Sequence, residues 1–176
     1  MKKTYLSAVA VLVCAALVGG IAGTSFYTKR HFKEDIVTGP NVTEVFKLSR
    51  YNPNLEGTIG DSDVYVLKGE KEGGSLVVLG STHANEPSGH MAGIILEENA
   101  KVEAGTIYVI PNINNSALTH NDPLDGSPQY MHFTTKNGET RTFQYGSRAT
   151  NPIDQWPDRI FTHISLPVRH FRFRDS

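Results

Sequence analysis

The chain has 176 residues and a formal net charge of −1. That length suffices for one domain and hardly for two, and the near-neutral charge gives no drive toward nucleic acid or acidic surfaces. Its single cysteine, Cys14, excludes an internal disulfide and a cysteine-held metal, so any metal must rest on His, Asp or Glu.

Lys2 and Lys3 precede an apolar run from Tyr5 to about Tyr27, interrupted only by glycines and by Ser7, Thr24 and Ser25. About 20 such residues span a bilayer as a helix. Residues 1–27 therefore read either as a signal peptide, cut near small residues such as Gly20 or Gly23, or as an uncleaved membrane anchor. Both place the rest of the chain outside the cytoplasm or at a membrane surface. Cationic residues flank both ends: Lys2 and Lys3 before the run, Lys29, Arg30 and Lys33 after it. Orientation is thus left open.

Residues 28–58 mix charges with two breaks, Gly39-Pro40 and Asn52-Pro53, and read as a linker. Two Asn-x-Ser/Thr triplets, at Asn41 and Asn114, are short matches to the glycosylation pattern.

The globular part is expected over residues 59–160. Asp63–Leu67 alternates and is rich in valine, as a strand does. A Gly-rich turn follows, and Ser75–Leu79 has the continuous apolar character of a buried strand. The spacing allows these two strands to pair as a hairpin. Ser88 can cap a helix running to about Asn99, with Met91, Ile94, Ile95 and Leu96 on the apolar face and Glu97 and Glu98 toward water. Thr106–Ile110 is a further buried-type strand, stopped by Pro111. Strand, helix, strand over residues 75–110 implies a parallel pair and a right-handed crossover. The expected fold class is α/β, a mixed sheet with this unit at its centre, following an N-terminal hydrophobic helix.

Both parallel strands then end on one sheet edge, where ligands bind in open α/β sheets. One edge loop carries His83 and Glu86, and the other runs Pro111-Asn112-Ile113-Asn114-Asn115. Further on, alternating segments 130–135 and 140–145 flank Asn137-Gly138, a hairpin signal. Residues 145–158 show no period and hold the sole tryptophan, Trp156. The tail, residues 161–176, changes character and alternates basic and aromatic residues from Arg169 to Arg174. One short run in a neutral chain does not make a nucleic-acid surface, and an edge strand is the plainer reading.

A His and a Glu three apart reach one zinc ion if the backbone turns between them. The spacing alone is weak evidence, because the chain holds a second copy, His31-Phe32-Lys33-Glu34. That copy has no strand before it and reads as chance. His83 differs in its context: a strand, Gly80, small residues and then a helix start. The competing reading is a polar loop in which His83 bonds backbone and Glu86 favours the helix N-terminus.

Residues 80–89, Gly-Ser-Thr-His-Ala-Asn-Glu-Pro-Ser-Gly, resemble the first zinc-binding motif of the M14-type zinc carboxypeptidase superfamily. The likeness is greatest to the succinylglutamate desuccinylase and aspartoacylase branch, where the motif reads Gly-x-x-His-Gly-Asn-Glu-x-x-Gly. Ala84 replaces the usual glycine. Residues 110–115 resemble the polar loop after the next strand, and residues 145–152 a segment of family members with a signal or anchor. The resemblance covers roughly residues 60–160. It implies a carboxypeptidase-like fold and a Zn2+ held by His83, Glu86 and a third, histidine ligand. It also implies a downstream glutamate as general base, and hydrolysis of an amide in a small-molecule or peptide substrate bearing a carboxylate. Arg148 is the candidate to fork onto that carboxylate or the oxyanion, with Asn114 and Asn115 beside it. By the same resemblance the third ligand and the base lie well beyond Arg148. His120, His132, His163 and His170 sit at no recognisable strand end, so none takes the role. The chain is accordingly expected to be a shortened family member whose family-like sequence stops near Asp158. The alternatives are a non-catalytic remnant and a plain α/β binding module.

Overall fold

The computed structural model describes residues 2–122 and 127–155. Trp156, Asp158, His163, His170 and the basic-aromatic tail lie outside the described residues, as do Pro123 and Asp125-Gly126.

Helix α1 (Lys2–His31) runs unbroken through the apolar segment. Its Tyr5–His31 portion holds an 18-residue window of mean hydropathy 2.3 and is long and apolar enough to cross a membrane. At 1.5 Å per residue those 27 residues extend about 40 Å, beyond a hydrocarbon core of roughly 30 Å. Its apolar side chains, Leu6 and Ile21 among them, are exposed along its length. Its last two turns join the domain, beginning at Ser25, whose Oγ accepts from Gln129 Nε2 at 3.2 Å. Lys29 is buried and donates to the carbonyls of Gln129 and Tyr145 while lying 4.8 Å above the Tyr130 ring. Arg30 forks onto Asp154, with Nη2 at 2.7 Å from Oδ1.

The segment read as a linker carries a strand, β1 (Val42–Lys47). With β2 (Asp63–Lys68), β3 (Lys71–Leu79) and β4 (Ala104–Ile110) it forms one mixed sheet in the order β1-β2-β4-β3. The β1/β2 and β2/β4 pairs are antiparallel and β3/β4 is parallel. The helix α2 (Pro87–Asn99) makes the crossover between β3 and β4. Helix α3 (Asn115–Leu118) follows β4, and β5 (Tyr130–Thr134) with β6 (Thr140–Gln144) forms the expected Asn-Gly hairpin, Gly138 at φ +85°.

Three expectations are corrected. The first concerns the β2–β3 hairpin: β4 lies between these strands. The two-residue link passes across the start of β4, where Gly69 N–H donates to Gly105 O and Lys71 N–H to Glu103 O. Gly105 has φ +79°, and a Cβ there would lie 2.2 Å from Gly74 O, so only glycine lets the strands cross this closely. The second concerns β3, which is not a buried central strand. It closes the sheet at its edge and leaves Leu76, Val77 and Leu79 more than half exposed. The third concerns α2, which starts at Pro87 with Glu86 at the N-cap position and makes no side-chain cap, so Ser88 does not cap it. Pro87 lacks the N–H that a first-turn residue leaves unpaired anyway. Glu97 does not face water either: it is fully buried beside Gly39, and Glu98 pairs with Arg141.

The core has two faces, set by the two-residue period of β2. Val64 and Val66 pack with Phe46 and Ile110 on one side. Tyr65 and Leu67 pack with Val109 on the other, against Val78 of β3 and Leu96 of α2. Both parallel strands therefore deliver their carboxyl ends to one edge.

Candidate functional site

The site begins where β3 stops. Gly80 N–H continues the parallel ladder onto Ile110 O at 2.9 Å, and Ile113 N–H returns to Gly80 O at 3.1 Å. A Cβ on Gly80 would lie 2.4 Å from Pro111 O, so the two edge loops approach at a distance only glycine allows. Ser81 takes φ +54°, the one non-glycine in the left-handed region among the described residues, and its buried Oγ has no partner. Strain of this kind persists only where the surroundings impose it.

The backbone then doubles back. Glu86 N–H donates to His83 O, which brings the two side chains together, His83 Nδ1 at 3.1 Å from Glu86 Oε1. Their side chains are 37% and 64% exposed, open enough for a ligand to arrive from solvent. Ala84, between His83 and Asn85, is buried. Its N–H donates to Ser147 O and its carbonyl accepts from Gly146 N–H. Ser147 N–H in turn donates to Ala117 O, and Ala84, Ala117 and Leu118 form a small apolar cluster beneath. Three loops that are distant in sequence (80–86, 111–118 and 145–151) are thereby stitched into one surface.

The other candidate residues have definite places on that surface. Arg148 is exposed and directly follows Ser147, whose carbonyl holds the residue after His83. Asn114 caps α3 through Oδ1, which accepts from Ala117 N–H, and its Nδ2 donates to Thr82 O at 3.4 Å. Asn115 donates to Ser62 Oγ at 3.0 Å. Both asparagines hold the loop in shape. Asn114 and Asn115 also line a cavity of about 940 Å³, whose wall includes neither His83 nor Glu86.

The second His-x-x-Glu copy does not assemble. His31 stacks on Tyr27 and its Nδ1 lies 2.8 Å from Tyr27 O. Glu34 turns into the interior, where its Oε1 meets His90 Nε2 at 2.6 Å and accepts from Gln144 N–H, both side chains being at most 2% exposed. Sequence reasoning passed over His90. Its signal was its position on the apolar stripe of α2, shared with Gly93, Ile94 and Glu97.

Three titratable groups elsewhere in the domain are shifted by their surroundings. Burial pushes the Glu97 carboxyl up to about 7, against the opposing hydrogen bond from Gly39 N–H. Burial also pushes the Asp154 carboxyl up, but the Arg30 guanidinium and the Ser116 hydroxyl outweigh it and hold that carboxyl low. Burial holds the His120 imidazole below its ordinary value.

For zinc, His83 and Glu86 offer one imidazole nitrogen and one carboxylate oxygen on a turn that already places them together. These are ordinary zinc donors. Among the described residues no group of three or more His, Cys, Asp or Glu converges, and the donors these residues bring together are two, His83 and Glu86. Compared with family models, characterised proteins and solved structures, the chain has no match.

Proposed function

We propose that the chain is a membrane-anchored α/β domain that binds zinc through His83 and Glu86, as the first half of an amide-hydrolase site of the M14 deacylase type. The observation that carries this reading is the 3.1 Å approach of His83 to Glu86 at the carboxyl end of β3, on loops fixed by backbone hydrogen bonds. Zinc, when bound, supplies Lewis acidity toward an amide carbonyl and an acidified water. The chain's own residues do the rest. Gly80 and Ser81 aim the turn, Ala84 ties it to residues 146–147, and Asn114 braces Thr82. Arg148, exposed at the rim, meets the substrate carboxylate with a bidentate fork. The apolar helix α1 serves as the anchor: its last turn is built into the domain by Lys29 and Arg30, which favours a segment that stays with the domain.

A second reading, a metal-binding module without turnover, is favoured by the existing His83–Glu86 hydrogen bond, in which the Glu86 carboxylate accepts from the His83 ring. Calorimetric titration of the detergent-solubilised full chain with zinc, beside hydrolysis of a panel of N-acyl amino acids, tests both. Stoichiometric binding lost in His83→Ala, with hydrolysis lost in parallel, supports the hydrolase. Binding without hydrolysis supports the module. Unchanged binding in His83→Ala removes both.

A further inference from the structure

The 940 Å³ cavity has a location and a lining that together specify a ligand. Arg30 and His31, the last two residues of α1, form part of its wall. They lie one helical turn past Tyr27, whose exposed ring is of the type that settles at the membrane–water boundary. Three or four residues of helix advance only about 5 to 6 Å. If α1 spans the bilayer, as the proposed function holds, the cavity opens immediately above the lipid headgroups.

The lining is divided. Leu55, Ile59 and Ile113 contribute an apolar part, and Asn52, Asn54 and Asn114 contribute neutral amides. The charges in the wall do not offer an anion site. Arg30 is held by both oxygens of Asp154. His31 uses Nδ1 on Tyr27 O and lies stacked on the Tyr27 ring. Glu56, also in the wall, repels anions. Among the described residues of the wall, an anionic headgroup would therefore meet no uncommitted lysine or arginine, whereas hydroxyl and amide groups would meet the Asn54 side-chain amide, able both to donate and to accept, and the Asn52 Nδ2 donor. Size agrees, since small-molecule sites commonly enclose about 300–1,000 Å³.

We propose that this cavity is a binding site for a membrane-resident amphiphile with an uncharged, hydroxyl- or amide-rich headgroup. The apolar stem lies against Leu55, Ile59 and Ile113, and the headgroup against Asn52 and Asn54. Asn114, in the cavity wall, also donates to Thr82 O, next to His83, and so joins that wall to the candidate metal turn.

The test uses the full chain in phosphatidylcholine nanodiscs doped with a photoreactive alkyl glucoside or, separately, with the alkyl phosphate of the same chain length. Cross-linked peptides are mapped by mass spectrometry, and flotation of the chain with vesicles is measured in parallel. The expected result is labelling within residues 52–60 and 113–115 that favours the glucoside by about tenfold, the scale of one or two well-made hydrogen bonds. That labelling should fall by a similar factor in Asn54→Trp, which fills the cavity from an exposed position, and fall also in the milder Asn54→Ala. Flotation should be unchanged in both. Equal labelling by the phosphate, or labelling elsewhere on a chain that still floats, overturns the cavity proposal and leaves the anchor standing. A chain that does not float overturns the anchor and the proposal together.

Discussion

The same His-x-x-Glu pattern occurs twice in this chain and produces two unrelated structures. At residues 83–86 a strand has just ended, Gly80 lets the backbone pass Pro111, and Glu86 N–H bonds His83 O. The side chains meet at 3.1 Å and stay open to solvent. At residues 31–34 a helix is ending. His31 remains against its own preceding turn, and Glu34 leaves it for the interior and His90. One copy yields a ligand-ready pair. The other yields a buried tether between the end of α1 and the first turns of α2. The difference lies wholly in what the backbone does between the two residues, which spacing does not encode.

That contrast can be broken at several points. The largest effect is expected at the buried copy. Glu34→Ala would leave His90 buried without its partner, and such losses typically cost about 3–5 kcal/mol. Denaturant unfolding of the full chain in mild detergent should show it, and a loss under about 1 kcal/mol would mean that the pair is not a tether. Next comes Gly80→Ala, whose methyl would press on Pro111 O. A cost of about 1–3 kcal/mol is expected, together with weaker zinc binding as the turn shifts. A stable variant with unaltered zinc affinity would show that the close approach is dispensable.

Glu97 gives a smaller effect with a distinctive pH signature. Its carboxyl rises from 4.5 to about 7 on folding, so the folded state holds the proton more tightly than the unfolded one. Its contribution to stability is complete below about 4.5 and is lost as the pH climbs through about 7. Glu97→Gln keeps the neutral form, so unfolding midpoints across that window should decline less than in the natural chain. Parallel declines would place the titrating group elsewhere. The smallest effect on stability is expected for Arg148→Ala, within about 0.5 kcal/mol for an exposed side chain. If the chain hydrolyses acyl amino acids, the same change should raise KM far more than it lowers kcat, and an unchanged KM would remove Arg148 from the substrate.

Much of this architecture was legible in the sequence. Alternation marked β2, β5 and β6, and the polar stops after Leu79 and Ile110 placed both loops on one edge. The crossover helix forced β3 and β4 to be parallel. What escaped notice depended on long-range packing. β1 lies in a charged stretch whose strand character appears only against β2. The β2–β3 hairpin was plausible locally and lost to β4, which pairs with both strands. Glu97 shares the stripe of His90 and Ile94, but its charge argued for water, and its cover, Gly39, comes from 58 residues earlier. The stitching of Ala84 to residues 146–147 was similarly invisible, since backbone hydrogen bonds between loops leave no periodic trace.

The most direct measurement of the central claim follows histidine ring resonances by NMR as zinc is added to the full chain in detergent micelles. The account predicts that the His83 ring shifts in a saturable manner, that Glu86→Gln weakens the response by about tenfold or more, and that His31 and His90 do not move. A response at His31 of equal size, or none at His83, would contradict it.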